Sequence, residues 1–201
     1  MSNDHDTRQR IIAGARDLIY SRSYAGVGVA EICERAEVRK GSFYHFFPSK
    51  QALSLAVIDD LRTIMEDRVL IPAFARDLPP LQRLRRFVEA LYEFQRDTSA
   101  STGRLLGCPF GNLALELATS DEVIRRKLAA VFAGIEARFE QVLTEARAAG
   151  AIDEVDILAT AKAMLAYIEG VLLMAKTTND PDVIRRLGSA FAEIRIKPLP
   201  G

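Results

Sequence analysis

The sequence predicts an all-α protein, and three observations lead to this prediction. Apolar residues recur at helical spacing in one segment after another along the chain. No segment alternates apolar and polar residues as a half-buried strand does, and no internal repeat is found in the sequence. The breaks between the periodic segments contain Pro, Gly, Asp, Asn, Ser or Thr, the residues that begin and end helices.

Three helices are predicted in the N-terminal part of the chain. The first is expected from about Thr7 to Arg22, with Asp6 and Gln9 capping its start. The segment "VAEICERA" predicts a short second helix, and "KGSFYHFF" predicts a third helix of two turns that ends before Pro48. Two short helices joined by a tight turn and braced by a longer one predict a helix-turn-helix. The apolar face of the first helix consists of Ile11, Ile12, Ala15, Leu18 and Ile19.

The rest of the chain is also predicted to be helical. A fourth helix, capped by Ser49, is expected to run from residue 50 to about 70 and to meet a break marked by Pro72, Pro79 and Pro80. Further helices are predicted at about 81–97, 105–118, 121–149, 155–177 and 181–196, which gives about nine in all.

Composition indicates an ordinary folded protein. The 201 residues are 49% hydrophobic and 27% charged, with a formal net charge of zero. Cys33 and Cys108 are the only cysteines, and the N-terminal residues do not resemble a signal peptide, which indicates a cytoplasmic protein with free thiols. The longest apolar run, "AMLAYI", is too short to span a membrane, so no membrane partner is predicted.

The third helix has the chemistry of a DNA-reading element. Phe43, with either Phe46 or Phe47, falls on its inner side by spacing. The hydroxyl, imidazole and ammonium groups of its outer side are the kind that reach base edges and phosphates, and Gly41 allows the backbone to approach DNA. Lys50 lies at the start of the fourth helix, where an anion is favoured, and is expected to bind a phosphate. The alternative is an aromatic core patch beneath a solvated basic face. The outer groups belong to Lys40, Ser42, Tyr44 and His45.

The stretch "TRQRIIAGARDLIYSRSYAGVGVAEICERAEVRKGSFYHFFPSKQAL" resembles the N-terminal DNA-binding domain of the TetR family of transcriptional repressors. The resemblance implies an all-helical homodimer with a DNA-binding domain at 1–50, whose helix-turn-helix covers about 28–47, and an effector-sensing and dimerisation domain at 51–201. It also implies DNA contacts from the third helix and its surroundings. The predicted DNA-binding residues are Gly28, Val29, Arg39, Lys40, Gly41, Ser42, Tyr44, His45 and Lys50.

Two residues depart from the family pattern. Gly28 stands where the family often has Ser or Thr, so the second helix lacks a side-chain cap, although Gly is a tolerable one. Glu37 stands where the family often has Gly, and a left-handed conformation there costs about 1 kcal/mol or more for a residue with a Cβ atom.

The last two predicted helices are candidates for the dimer interface that the family pattern implies. A two-fold dimer predicts a palindromic operator with half-sites about 34–36 Å apart, or a multiple of this. The alternative is that both helices pack only on the core of the monomer. The candidate interface residues are Ala159, Ala163, Ala166, Gly170, Leu187, Phe191 and Ile194.

Two segments of the C-terminal half suggest how the protein is controlled. "LLGCPFGNLALELA" and "GVLLMAKTTND" resemble the branch of the family that includes the repressor of N-ethylmaleimide reductase, whose members respond to reactive electrophiles. A thiol at a helix N-terminus near an ammonium favours the reactive thiolate, so Cys108 with Lys176 is a candidate sensor, beside Asn112 and Glu116. Alternatively, Cys108 is a small buried residue and Lys176 reaches to solvent. Candidate lining residues of an apolar effector cavity are Phe87, Phe94, Phe110 and Tyr167.

These observations predict a TetR-like DNA-binding regulator, a dimeric repressor released by a small molecule, an electrophile or an oxidant. An enzyme and a helical adaptor that binds another protein are the alternatives, with Cys108 and Lys176 as the only candidate reactive pair. Two histidines, His5 and His45, do not support a metal site or a catalytic triad, and no phosphate-binding loop is found, so neither a cofactor nor enzymatic activity is predicted.

Overall fold

The computed structural model describes residues 2–198, and every regular element in this range is helical, as predicted. A π-helical turn (Glu66–Leu70) joins α4 to α5, and a 3-10 turn (Phe191–Glu193) follows α10. The α-helices are α1 (Ser2–Ser21), α2 (Val29–Arg35), α3 (Lys40–Phe46), α4 (Lys50–Met65), α5 (Ile71–Phe74), α6 (Pro80–Thr102), α7 (Pro109–Leu117), α8 (Glu122–Ala148), α9 (Ile157–Thr178) and α10 (Asp182–Gly188).

The chain forms two compact units. The first contains α1 to α4 up to Ile64 together with Pro109–Ala129, and the second contains Met65–Cys108 with the chain from Ala130 onward. The unit that contains the helix-turn-helix is therefore larger than residues 1–50, because most of α4, all of α7 and the start of α8 belong to it.

The first unit is built on the apolar faces of its helices. Ile11 of α1, Ile32 of α2, Phe43 of α3 and Leu53 of α4 have no exposed surface, so the four helices share one core. Polar contacts add to this packing, among them a 2.9 Å hydrogen bond from Arg16 of α1 to Asp60 of α4, whose charges are only partly exposed.

Helix α1 begins earlier than predicted. It starts at Ser2, so Asp6 and Gln9 lie within the helix and do not cap it. Asp6 instead forms an i,i+4 ion pair with Arg10 at 3.5 Å, an arrangement that supports an exposed helix.

Pro72 does not break the chain as predicted, because helix continues on both sides of it. The π-helical turn at Glu66–Leu70 immediately precedes it, and Pro72 falls in the first turn of α5. A wider turn has room for the proline ring and does not need the N–H that proline lacks. The break predicted at Pro79 and Pro80 is found, since α6 begins at Pro80.

The second unit has an aromatic core. Phe87 of α6 stacks on Phe74 of α5 with ring centroids 5.6 Å apart, and it packs against Phe139 of α8 and Phe191 at 5.3 and 5.5 Å. All four rings are buried, so residues distant in the chain share one cluster. Helix α10 packs on α6 and α9, and its Gly188 lies against Val88 of α6.

Two predicted helices are shorter in the structure. The one predicted from 105 begins at Pro109, because Gly107 adopts a left-handed φ of 74° and Pro109 suits the first turn of a helix. The one predicted to 196 ends at Gly188. The chain beyond the 3-10 turn is extended, and Ile196 exchanges hydrogen bonds with the start of α9 through Asp156 and Thr160.

Candidate nucleic-acid interface

Helix α3 presents one buried face and one exposed face. Phe43 is fully buried, Phe47 just after the helix is 3% exposed, and Phe46 is only half-buried, so Phe47 is the second inward ring. Both rings pack together with centroids 6.1 Å apart. They anchor the helix and leave its other side to solvent.

The exposed face carries the side chains predicted to contact DNA. Tyr44 is 55% exposed, and its ring rests edge-on against Phe43 with centroids 5.1 Å apart. The contact supports one side of the Tyr44 ring without burying the residue. The other exposed members of the predicted set are Gly28, Arg39, Lys40, Gly41 and His45, while Val29, Ser42 and Lys50 are half-buried.

The structure shows the backbone conformation of the two residues that depart from the family pattern, Gly28 and Glu37. Gly28 caps α2 in an extended conformation without a side-chain hydrogen bond. Glu37 has a left-handed φ of 54°, the conformation whose cost the family pattern avoids with glycine. The N–H of Val38 donates to the Cys33 carbonyl at 2.9 Å, and that of Glu37 to the Glu34 carbonyl at 3.1 Å. These are the two bonds of a Schellman motif, whose left-handed position is the one that favours glycine.

Part of the basic charge near the helix-turn-helix is neutralised within the unit. Arg22 pairs with Glu31 at 2.5 Å and Arg35 pairs with Asp17 at 3.3 Å. Within residues 2–198, no salt bridge is found for Arg39 or Lys40, and both are exposed. Positive charge is therefore concentrated at the N-terminal end of α3.

Lys50 adopts an inward orientation. Its ammonium donates to the Tyr24 carbonyl and lies 4.0 Å from the centroid of the Tyr24 ring. Burial lowers the pKa of Lys50, and the carboxylate of Glu116 opposes this effect. The contact of Lys50 with a phosphate remains a prediction, and it competes with the contact to Tyr24.

Comparison with known proteins identifies the family. Residues 11–57 match the family model of "Bacterial regulatory proteins, tetR family", and residues 80–191 match that of "Tetracyclin repressor-like, C-terminal domain". The chain belongs to the TetR family.

Individual relatives agree with this assignment. An HTH-type transcriptional regulator in the lacX 3′ region of Lactococcus lactis is 31% identical over 182 residues, which are 90% of this chain and 89% of the relative. The transcriptional repressor NemR of Escherichia coli is 28% identical over 144 residues, 72% of this chain and 70% of NemR. The crystal structure of a regulatory protein TetR from Rhodobacter sphaeroides has a TM-score of 0.81 and 33% identity, covering 94% of this chain and 98% of that one.

The candidate sensor of this TetR-family chain lies at the end of the segment before α7. A Cβ atom added at Gly107 would lie 3.1 Å from Cδ of Lys176, so the Lys176 side chain packs closely against Gly107, the residue before the half-buried Cys108. Gln95, itself fully buried, donates to the Gly107 carbonyl at 3.0 Å. The segment is thus held from α6 and α9, both in the second unit.

Sequence reasoning missed Glu169, the partner of Cys108. The Cys108 thiol hydrogen bonds to this carboxylate, and burial raises the pKa of Glu169. This contact joins the segment before α7 to α9, because Glu169 is a residue of α9. The signal was present in the sequence, because Glu169 is the acidic residue of the otherwise apolar stretch "AMLAYIEGVLL".

The residues predicted to line an apolar effector cavity are mostly packed. Phe87 belongs to the aromatic core, Phe94 is 6% exposed beneath the Arg68 guanidinium, and Phe110 is buried. Tyr167 is half-buried, and its hydroxyl donates to the Leu187 carbonyl at 2.7 Å, which ties α9 to α10.

The residues predicted to accompany the sensor thiol lie in the other unit. Asn112 and Glu116 belong to α7 in the first unit, whereas Cys108 belongs to the second.

One face of α9 is exposed and apolar. Along the helix it presents Leu158, Ala166, Gly170, Leu173 and Met174, with Ala159 and Ala163 half-buried at its side. Of the described helices, only α9 is long and apolar enough to cross a membrane, but the core helix of a globular protein passes the same test, and its other face is buried.

The predicted interface residues after α9 behave differently from one another. Leu187 is 43% exposed and Ile194 is half-buried, so both have surface for a partner. Phe191 has none, because its ring packs against Phe87 and Phe139 in the core of its own chain. The prediction of Phe191 as an interface residue is therefore wrong.

Proposed function

We propose that the protein is a dimeric, cytoplasmic repressor that binds a palindromic operator through residues 1–50 and is controlled by an effector through residues 51–201. The observation that carries the proposal is the exposed polar face of α3 on a buried aromatic anchor, in a chain of the TetR family. Its relatives are regulators of transcription, which favours a DNA-binding role over an enzymatic one.

We expect some residues to position the protein by contacting phosphates and others to recognise the base sequence. Arg39→Ala should weaken binding to every duplex alike and reduce the slope of log affinity against log salt by about 0.9, because one phosphate contact is lost. Tyr44→Ala should also change the ranking of operator variants, since an exposed phenol on the recognition helix can contact base edges in the major groove. The measurement is a titration of labelled duplexes, including DNA upstream of the gene, at several salt concentrations.

Arg104→Ala is the matched control, because Arg104 is an exposed basic residue of the second unit. It should leave both affinity and slope unchanged. Failure of the wild-type protein to bind any duplex would contradict the proposed function, and an equal loss for all operator variants in Tyr44→Ala would contradict its reading role.

The surface for a second copy is the exposed apolar face of α9, with Leu187 of α10 beside it. Small residues at Ala166 and Gly170 allow two helices to approach closely, and two-fold symmetry would place the same face of both copies together. Covering this face removes apolar surface from water, which favours dimerisation.

A reactive electrophile or oxidant is the proposed effector, with Cys108 as the group it modifies. Cys108 is only half-buried, and Lys176 packs against the neighbouring Gly107. Similarity to the transcriptional repressor NemR supports this proposal, because the segment around Cys108 resembles the electrophile-responsive branch of the family. When a maleimide reacts, sulfur bonds to one alkene carbon and a proton is added to the other.

Treatment with a maleimide or hypochlorite should release the wild-type protein from operator DNA and leave Cys108→Ser bound. A reductant should restore binding after oxidation, because early oxidation products of cysteine are reversible. The measurement is an operator titration before and after treatment. Equal retention of DNA by both proteins would show that Cys108 serves packing only, and reversible apolar ligands would then be the effectors to test.

A further inference from the structure

Glu116 of α7 binds the turn that joins α1 to α2. Its Oε2 accepts the N–H of Tyr24 at 2.8 Å, and its Oε1 accepts the N–H of Ala25 at 2.6 Å. The two carboxylate oxygens thus take two successive peptide N–H groups, and hydrogen bonds to an ionised acceptor are stronger than neutral ones. All these residues belong to the first unit.

Lys50 binds a carbonyl group of the same turn, that of Tyr24. The ammonium of Lys50 donates to the Tyr24 carbonyl and lies over the Tyr24 ring. The turn is therefore held by a carboxylate on its N–H groups and by an ammonium on its carbonyl, and both charges come from outside the helix-turn-helix.

The turn leads directly into α2, the first helix of the helix-turn-helix. After Ala25 only Gly26, Val27 and Gly28 precede α2, and Val27 is buried. Two further N–H groups of the turn donate to neutral acceptors: Gly26 to the Ser23 hydroxyl at 3.0 Å and Val27 to the Tyr24 carbonyl at 3.4 Å. A shift of the turn is thus passed to α2 and, through the Schellman motif, to α3.

We propose that Glu116 is a positioning residue for DNA binding, which holds the α1–α2 turn so that α2 and α3 are presented to the operator. The inference rests on the proposed function, because it takes operator binding as one of its readouts. Glu116 lies in the last turn of α7, so its carboxylate ties this helix to the α1–α2 turn within the first unit.

The test compares Glu116→Ala and the isosteric Glu116→Gln with the wild-type protein. Amide hydrogen exchange at Tyr24 and Ala25 should accelerate by about tenfold or more in Glu116→Ala, because both acceptors are removed, and less in Glu116→Gln, which keeps one oxygen. Operator affinity should fall by about tenfold in Glu116→Ala and less in Glu116→Gln. Exchange at Ile32 and Phe43, in the core of the unit, should not change.

Glu154→Gln is the matched control, because Glu154 is an exposed carboxylate of the second unit. It should change neither readout. Unchanged exchange at Tyr24 and Ala25 in Glu116→Ala would overturn the contact itself, and faster exchange with unchanged operator affinity would overturn its positioning role. A wild-type protein that binds no duplex would instead refute the proposed function, while the exchange measurement would still decide the contact.

Discussion

Replacing Glu145 by Ala is expected to lower the free energy of unfolding by about 3 kcal/mol or more. Glu145 of α8 accepts a hydrogen bond from the guanidinium of Arg83 of α6, whose side chain is only 4% exposed. Without Glu145 the buried positive charge of Arg83 would lose its carboxylate partner, and Arg76, which lies 3.3 Å from Glu145, is itself cationic. Chemical denaturation of the purified variant would measure the loss.

Two control variants separate the buried pair from an ordinary surface pair. Glu193→Ala removes an ion pair with Arg85 in which both side chains are about two-thirds exposed, and it should cost about 1 kcal/mol or less. The double variant Arg83→Met with Glu145→Leu should recover most of the stability, because no unpaired charge is left buried. A loss as small for Glu145→Ala as for Glu193→Ala would contradict the importance of the buried pair.

The contribution of Glu145 should also depend on pH. The hydrogen bond from Arg83 lowers the pKa of this carboxyl below its ordinary value of 4.5. Its stabilising effect is therefore complete above the unfolded pKa and is lost as pH falls through the lower folded pKa. The stability difference between the wild type and Glu145→Gln should be constant near neutral pH and shrink in the acid range below 4.5.

Gly188→Ala is expected to lower the free energy of unfolding by about 1–3 kcal/mol, as overpacking of a core does. An added Cβ atom would lie 2.3 Å from Cγ1 of Val88, closer than two carbon atoms can approach. Either Val88 must rotate or α10 must move away from α6. Thermal or chemical unfolding would measure the effect, and sedimentation would show whether dimerisation, to which Leu187 of α10 is proposed to contribute, weakens as well.

Gly134→Ala is the matched control for this substitution. Gly134 lies within α8, and an added Cβ atom there meets nothing within 4 Å, so the exchange should stabilise the protein by about 0.5–1 kcal/mol through helix propensity. Adding Val88→Ala to Gly188→Ala should cost less than the two single losses together, since it removes the colliding methyl groups. Equal behaviour of Gly188→Ala and Gly134→Ala would contradict the close approach of α10 to α6.

The sequence by itself determined the features that depend on near neighbours in the chain. Helical periodicity and turn residues predicted an all-α fold, the inward side of Phe43 and the exposed side of Tyr44. Such features follow from spacing of three to five residues and from backbone sterics. The motif at Lys40–Lys50 was also specific enough to indicate the family.

Only the tertiary structure decided the features that depend on residues far apart in the chain. The π-helical turn that accommodates Pro72, the burial of Phe191 against Phe87, and the thiol contact between Cys108 and Glu169 each needed the fold. Lys50 and Glu116 are the clearest case, because both side chains contact the α1–α2 turn and no spacing in the sequence indicated either contact. The physical reason is that spacing predicts which face of a helix a side chain occupies, but its hydrogen-bond partner is determined by which distant segment packs against that face.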